Sequence, residues 1–274
     1  MAASEEATKS ENSEKADKSG KEEKRTIGVY VYGIVPSDVE PEEGATGVAD
    51  GTVSVVAQGE IAALVSELSV DRALGKPEDL RAHANVLDGT ARVAPVLPLR
   101  FGAVLSDADA VKEELLSAHA DEFASALEQL EGKAQYVVKG RYVEKAILQE
   151  IIDESDEAAQ LRDAIRDKSE DAGRDARMAL GELVSNAIVA KRDEDTRTTV
   201  EALDDLVESV NMREPTHEEE AVQVAVLADV ERQEELEKVV GQLAENWEGR
   251  VEMKLLGPLA AYDFVVTQKP EGQG

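Results

Sequence analysis

The chain contains no cysteine, so it uses neither disulfides nor thiolate metal sites, as any reducing compartment would permit. Aromatic residues make up only 3%, which leaves the core to Val, Leu, Ile and Ala. No run approaches the roughly 18 apolar residues of a membrane-spanning helix, and residues 1–26 hold no apolar stretch that would make a signal peptide. A cytoplasmic protein with no membrane span is expected. Basic residues are outnumbered: 30 Lys and Arg stand against 59 Asp and Glu, a formal charge of −29. That balance argues against nucleic acid as a partner, because a phosphate backbone is bound through cations. The acidic excess is spread from residue 38 to the end rather than gathered in one patch, the pattern of a surface adapted to a salty cytoplasm. It also suits a basic partner or bound cations.

Chemical motifs are equally scarce. His83, His119 and His217 are widely separated and none has metal-ligand spacing, so no metal site is expected. His83 lies beside an apolar helical stripe and reads as a hydrogen-bonded structural histidine. The acidic clusters at 153–157, 193–195 and 218–220 lack the alternating oxygen ligands and central glycine of a calcium loop, and read as solvated helix ends. Neither of the two glycine-rich phosphate-binding motifs occurs, nor a G-x-S-x-G elbow, so no cofactor and no catalytic residue are assigned. Carboxylate pairs are too numerous for spacing to single one out.

At 274 residues the length suits one large or two modest domains. Residues 1–26 mix seven acidic with six basic residues and no aromatic, and are expected to be a disordered tail. A strand then runs over 27–35, an acidic loop to Gly51, and a hairpin over 52–57 and 61–65. Pro77 opens a helix with the stripe Leu80, Ala84, Leu87 and Ala91. Residues 93–105 are apolar and proline-broken, a buried strand or turn. Ser106 with Asp109 resembles a capping box for a helix to about Glu131, and 134–143 returns as a strand. This order predicts a modified ferredoxin-like N-terminal domain over 27–143.

Residues 144–214 form a charged helical segment, with a second capping box expected at Thr198 and Glu201. A strand at 222–228, a helix at 231–246, a strand at 251–255 and another from about Ala261 to Gln268 predict a smaller C-terminal α+β, ferredoxin-like domain over 215–268. Residues 269–274 are expected to fray. The fold class is therefore α+β.

Two apolar runs carrying proline and glycine remain: 95–102 (PVLPLRFG) and 257–264 (GPLAAYDF). Such runs mark buried backbone that changes direction. Arg100 is the one basic residue embedded in a long apolar run; it reads as a paired arginine at a strand end, or as an anchor at an interface.

Together with Val31-Tyr32-Gly33-Ile34-Val35, Ile61-Ala62-Ala63-Leu64-Val65-Ser66-Glu67 and His83-Ala84-Asn85-Val86-Leu87, these runs resemble the gas vesicle accessory family GvpF/GvpL, in order and over about residues 29–268. Length and charge lean toward the GvpL branch of a halophilic archaeon. The family's late motif commonly carries Trp-Pro-Pro before its tyrosine; here Leu259, Ala260 and Ala261 stand in that place. The resemblance implies a non-enzymatic protein of two domains, associated with the gas vesicle as a minor component or assembly factor. It would bind the small apolar GvpA-type shell protein and other accessory proteins, with no catalytic residue carried over. On that reading Arg100, Phe101, Leu259, Tyr262 and Phe264 are the candidate partner contacts. The alternative is a ferredoxin-like enzyme or small-ligand sensor using a cleft between the domains.

Overall fold

The computed structural model describes residues 27–42, 44–166, 168–169 and 172–265; the tails expected at 1–26 and 269–274 lie outside them. Two antiparallel sheets carry the fold. In the first, β1 (Ile27–Pro36) is central. On one side lies β3 (Ile61–Ser69) with β2 (Ser54–Gln58) beyond it, and on the other lie the short β4 (Leu97–Pro98) and β5 (Val104–Leu105). Both faces of β1 are buried: Tyr30 and Tyr32 point into one core cluster, Val31 and Ile34 into another. Helix α1 (Pro77–Thr90) covers the tyrosine face. The other face is covered by α2 (Ala108–Ala110), which runs into a π-helical stretch Val111–Ser117, and by α3 (Ala120–Gln129). At the bulge between Val31 and Gly33 a Cβ on Gly33 would stand 2.6 Å from the Leu97 carbonyl oxygen, so only glycine lets β4 approach.

The strand order β2-β3-β1-β4 with α1 between β3 and β4 is ferredoxin-like, with one departure: a loop, 37–53, with a 3₁₀ turn at Val48–Asp50 replaces the first crossover helix. Two local expectations change. Helix α1 buries Asp79, His83 and Leu87 rather than a stripe from Leu80, which is exposed. Asp79 is tolerated inside because Arg72 pairs with it at 2.9 Å and the Lys76 N–H donates to it. The helix expected over 106–131 is broken at Ala118-His119, and its cap is Asp107, whose carboxylate accepts the Ala110 N–H at 2.8 Å.

The second sheet repeats the same order. It comprises β6 (Lys133–Tyr142), helices α4 (Glu144–Glu154), α5 (Asp156–Arg166) and α6 (Arg174–Leu203), then β7 (Ser209–Met212), β8 (Glu220–Asp229), α7 (Gln233–Asn246) and β9 (Val251–Leu259), in the order β7-β8-β6-β9. Here lies the main correction. Strand β6, read from the sequence as the end of a domain over 27–143, pairs with β8 and β9, and its Ala134, Tyr136 and Val138 join their core. The second sheet thus takes its central strand from Lys133–Tyr142, inside the span read as the N-terminal domain. The helices of the 144–214 segment are its first crossover connection.

Thr198 opens no helix: α6 continues through it to Leu203, and the Thr199 hydroxyl donates back to the Asp195 carbonyl at 2.8 Å. Residues 209–212 are strand rather than helix because β8 offers them an edge to pair with. β9 runs on through Gly257-Pro258, a cis peptide, to Leu259. The chain then turns at 262–264 where a strand was expected, and 266–268 lie outside the described residues.

A partly buried ion network ties α4 and α6 to this sheet. Asp195 accepts from the Tyr142 hydroxyl at 2.7 Å and from Arg250 at 3.0 Å, and Arg250 also donates to Glu150 at 2.6 Å. Lys191 bridges Glu150 and Glu154. Burial alone would raise the Glu150 carboxyl, but Arg250 and Lys191 outweigh it and hold it below the usual carboxylate range.

Candidate functional site

The first apolar run is a bulged edge strand. Antiparallel pairing to β1 holds it on both sides, with Pro98 opposite Gly33 and Val104 opposite Tyr30. Between them the Leu99 N–H donates to the Tyr32 carbonyl at 2.9 Å and Ala103 accepts from Val31 at 2.9 Å, which leaves Arg100-Phe101-Gly102 looped outward. A buried polar chain pins the loop from beneath. The Gly102 N–H donates to the Tyr30 hydroxyl at 3.1 Å, and that hydroxyl lies 2.9 Å from His83 Nδ1. His83 also bonds the Leu99 carbonyl. Burial lowers the His83 pKa, opposed by the Leu99 bond, and burial pushes the Tyr30 phenol up to about 12. Phe101 packs edge-on against His83, ring centroids 5.6 Å apart.

The second run is a strap between the two units. The Ala260 N–H donates to Asp88 of α1 at 3.0 Å, and the Asp263 N–H donates to the Gln135 side chain of β6 at 2.9 Å. Arg213 forms an ion pair with the Asp263 carboxylate. Ala260 belongs to the tyrosine-face core, while Ala261, Phe264 and Val265 pack into the core on the opposite face of the first sheet. The strap therefore wraps the β4 edge and shields it. Tyr262 is 41% exposed; partial burial first, then Asp88 and Tyr30, push its pKa above the usual phenol range.

Of the five candidate contacts, Arg100 is exposed at the bulge tip and Tyr262 is partly exposed. Phe101, Leu259 and Phe264 are half-buried and support the bulge and the strap. The fold brings the two runs together around α1 and Tyr30. A concavity of about 400 Å³ remains at the seam between the units, walled by Leu97, Leu130, Leu227 and Phe264 with the Lys133–Glu208 pair.

Residues 28–266 match the family model described as gas vesicle synthesis protein GvpL/GvpF. The chain belongs to the GvpL/GvpF family. Gas vesicle protein F of a Streptomyces species is 31% identical over 244 residues, covering 87% of this chain and 100% of its own length. Gas vesicle protein L of a Streptomyces species is 32% identical over 148 residues, covering 49% of this chain and 54% of its own. The crystal structure of GvpF from Anabaena sp. shares the fold, with a TM-score of 0.72 at 24% identity over 86% of this chain and 96% of that one. The length and charge that leaned toward the GvpL branch thus meet a relative named F along 87% of the chain and one named L along 49% of it.

Within this GvpL/GvpF-family fold, no helix among the described residues is long and apolar enough to cross a membrane. No group of three or more His, Asp or Glu side chains among them converges as metal ligands. Reading the sequence alone missed the acidic concavities around loop 37–53. The signal was present in the carboxylates of that loop and in Val93, a large apolar residue placed after a helix end.

Proposed function

We propose that this family member acts in gas vesicle assembly as a cytoplasmic accessory protein. It binds the small apolar GvpA-type shell protein and other accessory proteins, stays associated with the vesicle, and performs no chemical step of its own. The observation that carries this reading is the match of residues 28–266, across both units, to a family described by gas vesicle synthesis. An apolar shell subunit aggregates unless its surface is covered before it polymerises, and a strongly charged carrier with apolar contacts and open sheet edges can cover it. The bulge offers Arg100 with the exposed Val104 beside it, and Tyr262 lies nearby on the strap. On the second sheet the edge strand β7 exposes Val210 and Met212, and its backbone edge can accept an added strand.

The test is co-purification of the shell subunit with the full chain. Retention by the native protein is expected, with an approximately tenfold loss for Arg100→Ala combined with Tyr262→Ala, the size of effect that interface arginines and tyrosines produce. Failure of the native chain to retain the shell subunit, or vesicles forming normally without this protein, would overturn the reading.

A further inference from the structure

Sheet edges are where unpaired backbone meets solvent, and proteins guard them with charge, proline, shortness or a covering segment. Three of the four edges here are guarded. On the β4 side of the first sheet the edge strands are only two residues long, and the strap wraps over β4. At the other end of that sheet, loop 37–53 bonds along the start of β2, from the Val53 N–H to the Ala45 carbonyl at 3.0 Å, and β2 exposes no large apolar side chain. β9 carries Glu252 and Lys254 at exposed positions. β7 has none of these devices. Its residues Ser209-Val210-Asn211-Met212 hold no charge and no proline, and Val210 and Met212 are 36% and 67% exposed.

The Arg213 N–H donates to the Gln223 carbonyl at 2.9 Å, so in this antiparallel register Arg213, Asn211 and Ser209 are the residues bonded to β8. Val210 and Met212 alternate with them and turn their N–H and C=O groups outward. Their side chains share the face of Val226 and Val224, which belong to the core under α4, α6 and α7. Backbone and apolar surface are thus open at the same two residues. Another strand fits there, and the order of residues along the edge says which. Only outward-turned residues can exchange bonds across a new joint. An antiparallel copy centred on Asn211 sets each Val210 opposite the partner's Met212, with four backbone hydrogen bonds and apolar side chains facing apolar ones. Centred on Val210 or on Met212, the same edge would set Met212 against the partner's Glu208, or Val210 against the partner's Glu214.

We infer that β7 is a self-pairing edge: two copies of this chain join β7 to β7 about a two-fold axis at Asn211, and the second sheet runs on through both. The inference stands on the edge alone and not on the assembly reading. An edge paired in this way is closed to any strand that another protein would add. The joint is small, so it belongs to the weak and reversible class of interface. Charge opposes it. Each copy carries −29, and the Asn211 centre puts Glu208 opposite the partner's Glu214 at both ends of the joint. Pairing therefore needs salt, because the Debye length falls from about 10 Å at 0.1 M to about 3 Å at 1 M and screens that repulsion.

Sedimentation velocity of the full chain at rising concentration should show a reversible monomer–dimer equilibrium in about 1 M salt, with an association constant at least roughly tenfold lower at about 0.1 M. Met212→Pro removes an outward donor and no bond to β8, and Val210→Lys sets a charge against the partner's Met212. Each variant should keep the circular dichroism spectrum of the native chain and stay monomeric. If Met212→Pro does not fold, Val210→Lys decides. Glu214→Lys should tighten the dimer about fivefold or more by facing the partner's Glu208, whereas Glu114→Lys on the first unit, with the same change in net charge, should alter it less than about twofold. A native chain that stays monomeric in high salt, a dimer that survives Val210→Lys, or equal effects of Glu214→Lys and Glu114→Lys overturns the inference. None of these measurements uses the shell subunit, so the assembly reading stands or falls apart from them.

Discussion

Gly47 and His83 are both fixed by tyrosines of β1. A Cβ on Gly47 would fall 1.8 Å from the Tyr32 hydroxyl, which accepts the Val48 N–H at 2.7 Å and bonds Ser66 at 2.8 Å. Gly47→Ala should therefore force the 3₁₀ turn off the sheet and cost roughly 1–3 kcal/mol, to be read as a lowered denaturant midpoint. His83 holds the bulge in its neutral form. With its pKa depressed by burial below 6.5, the unfolded chain takes up the proton first, so stability present at neutral pH is lost as pH falls below about 6.5. An NMR titration should place His83 below 6.5, with the protection factors of the Leu99 and Gly102 amides falling as pH drops over the same range; a midpoint at or above 6.5 would contradict the clamp. A hydrogen-bonded histidine on this helix was legible in the sequence. The helix face it shares was not, since Asp79 can be buried only because Arg72, seven residues earlier, folds back onto it.

For the elements, local pattern gave identity and withheld pairing. The 133–142 segment reads as a strand in isolation because Tyr136, Val137 and Val138 are β-formers. Whether it ends one sheet or begins the next depends on contacts with β8 nearly 90 residues away, which periodicity does not encode. A fragment starting at Lys133 should consequently fold, by circular dichroism and cooperative melting, whereas one starting at Glu144 should not, having lost the central strand of its sheet. The register between α4, α6 and β9 depends on Arg250. Arg250→Ala leaves the buried Asp195 without its cation and should cost about 3–5 kcal/mol. Because the Glu150 pKa is depressed, the stability its pairing contributes is present above about pH 4.5 and lost as pH falls through the lowered value. In the Arg250 variant the acid limb of the stability curve should be shallower.

At the scale of the whole molecule, net charge and connectivity set the behaviour. A formal charge of −29 repels itself most when salt is low, so the melting temperature should rise with salt toward 1 M and above. A melting temperature independent of salt in a circular dichroism series would count against the salt-adapted reading of the composition. The two-unit α+β plan was legible from composition shifts and the order of strands and helices. The strap was not, because Leu259-Ala260-Ala261 has no pattern of its own and takes its meaning from Asp88, Gln135 and Arg213, each more than 45 residues away.

Helix α1 takes part in two structures at once. It packs the tyrosine-face core through Leu87, and Asp88, the next residue, grips the strap through the Ala260 N–H. The next anchor, Asp263, is fixed to β6 and to Arg213 beyond β7. One helix thus serves as both a wall of the first unit and a hinge pin for the second, so damage to its C-terminal turn would loosen the joint as well as the core.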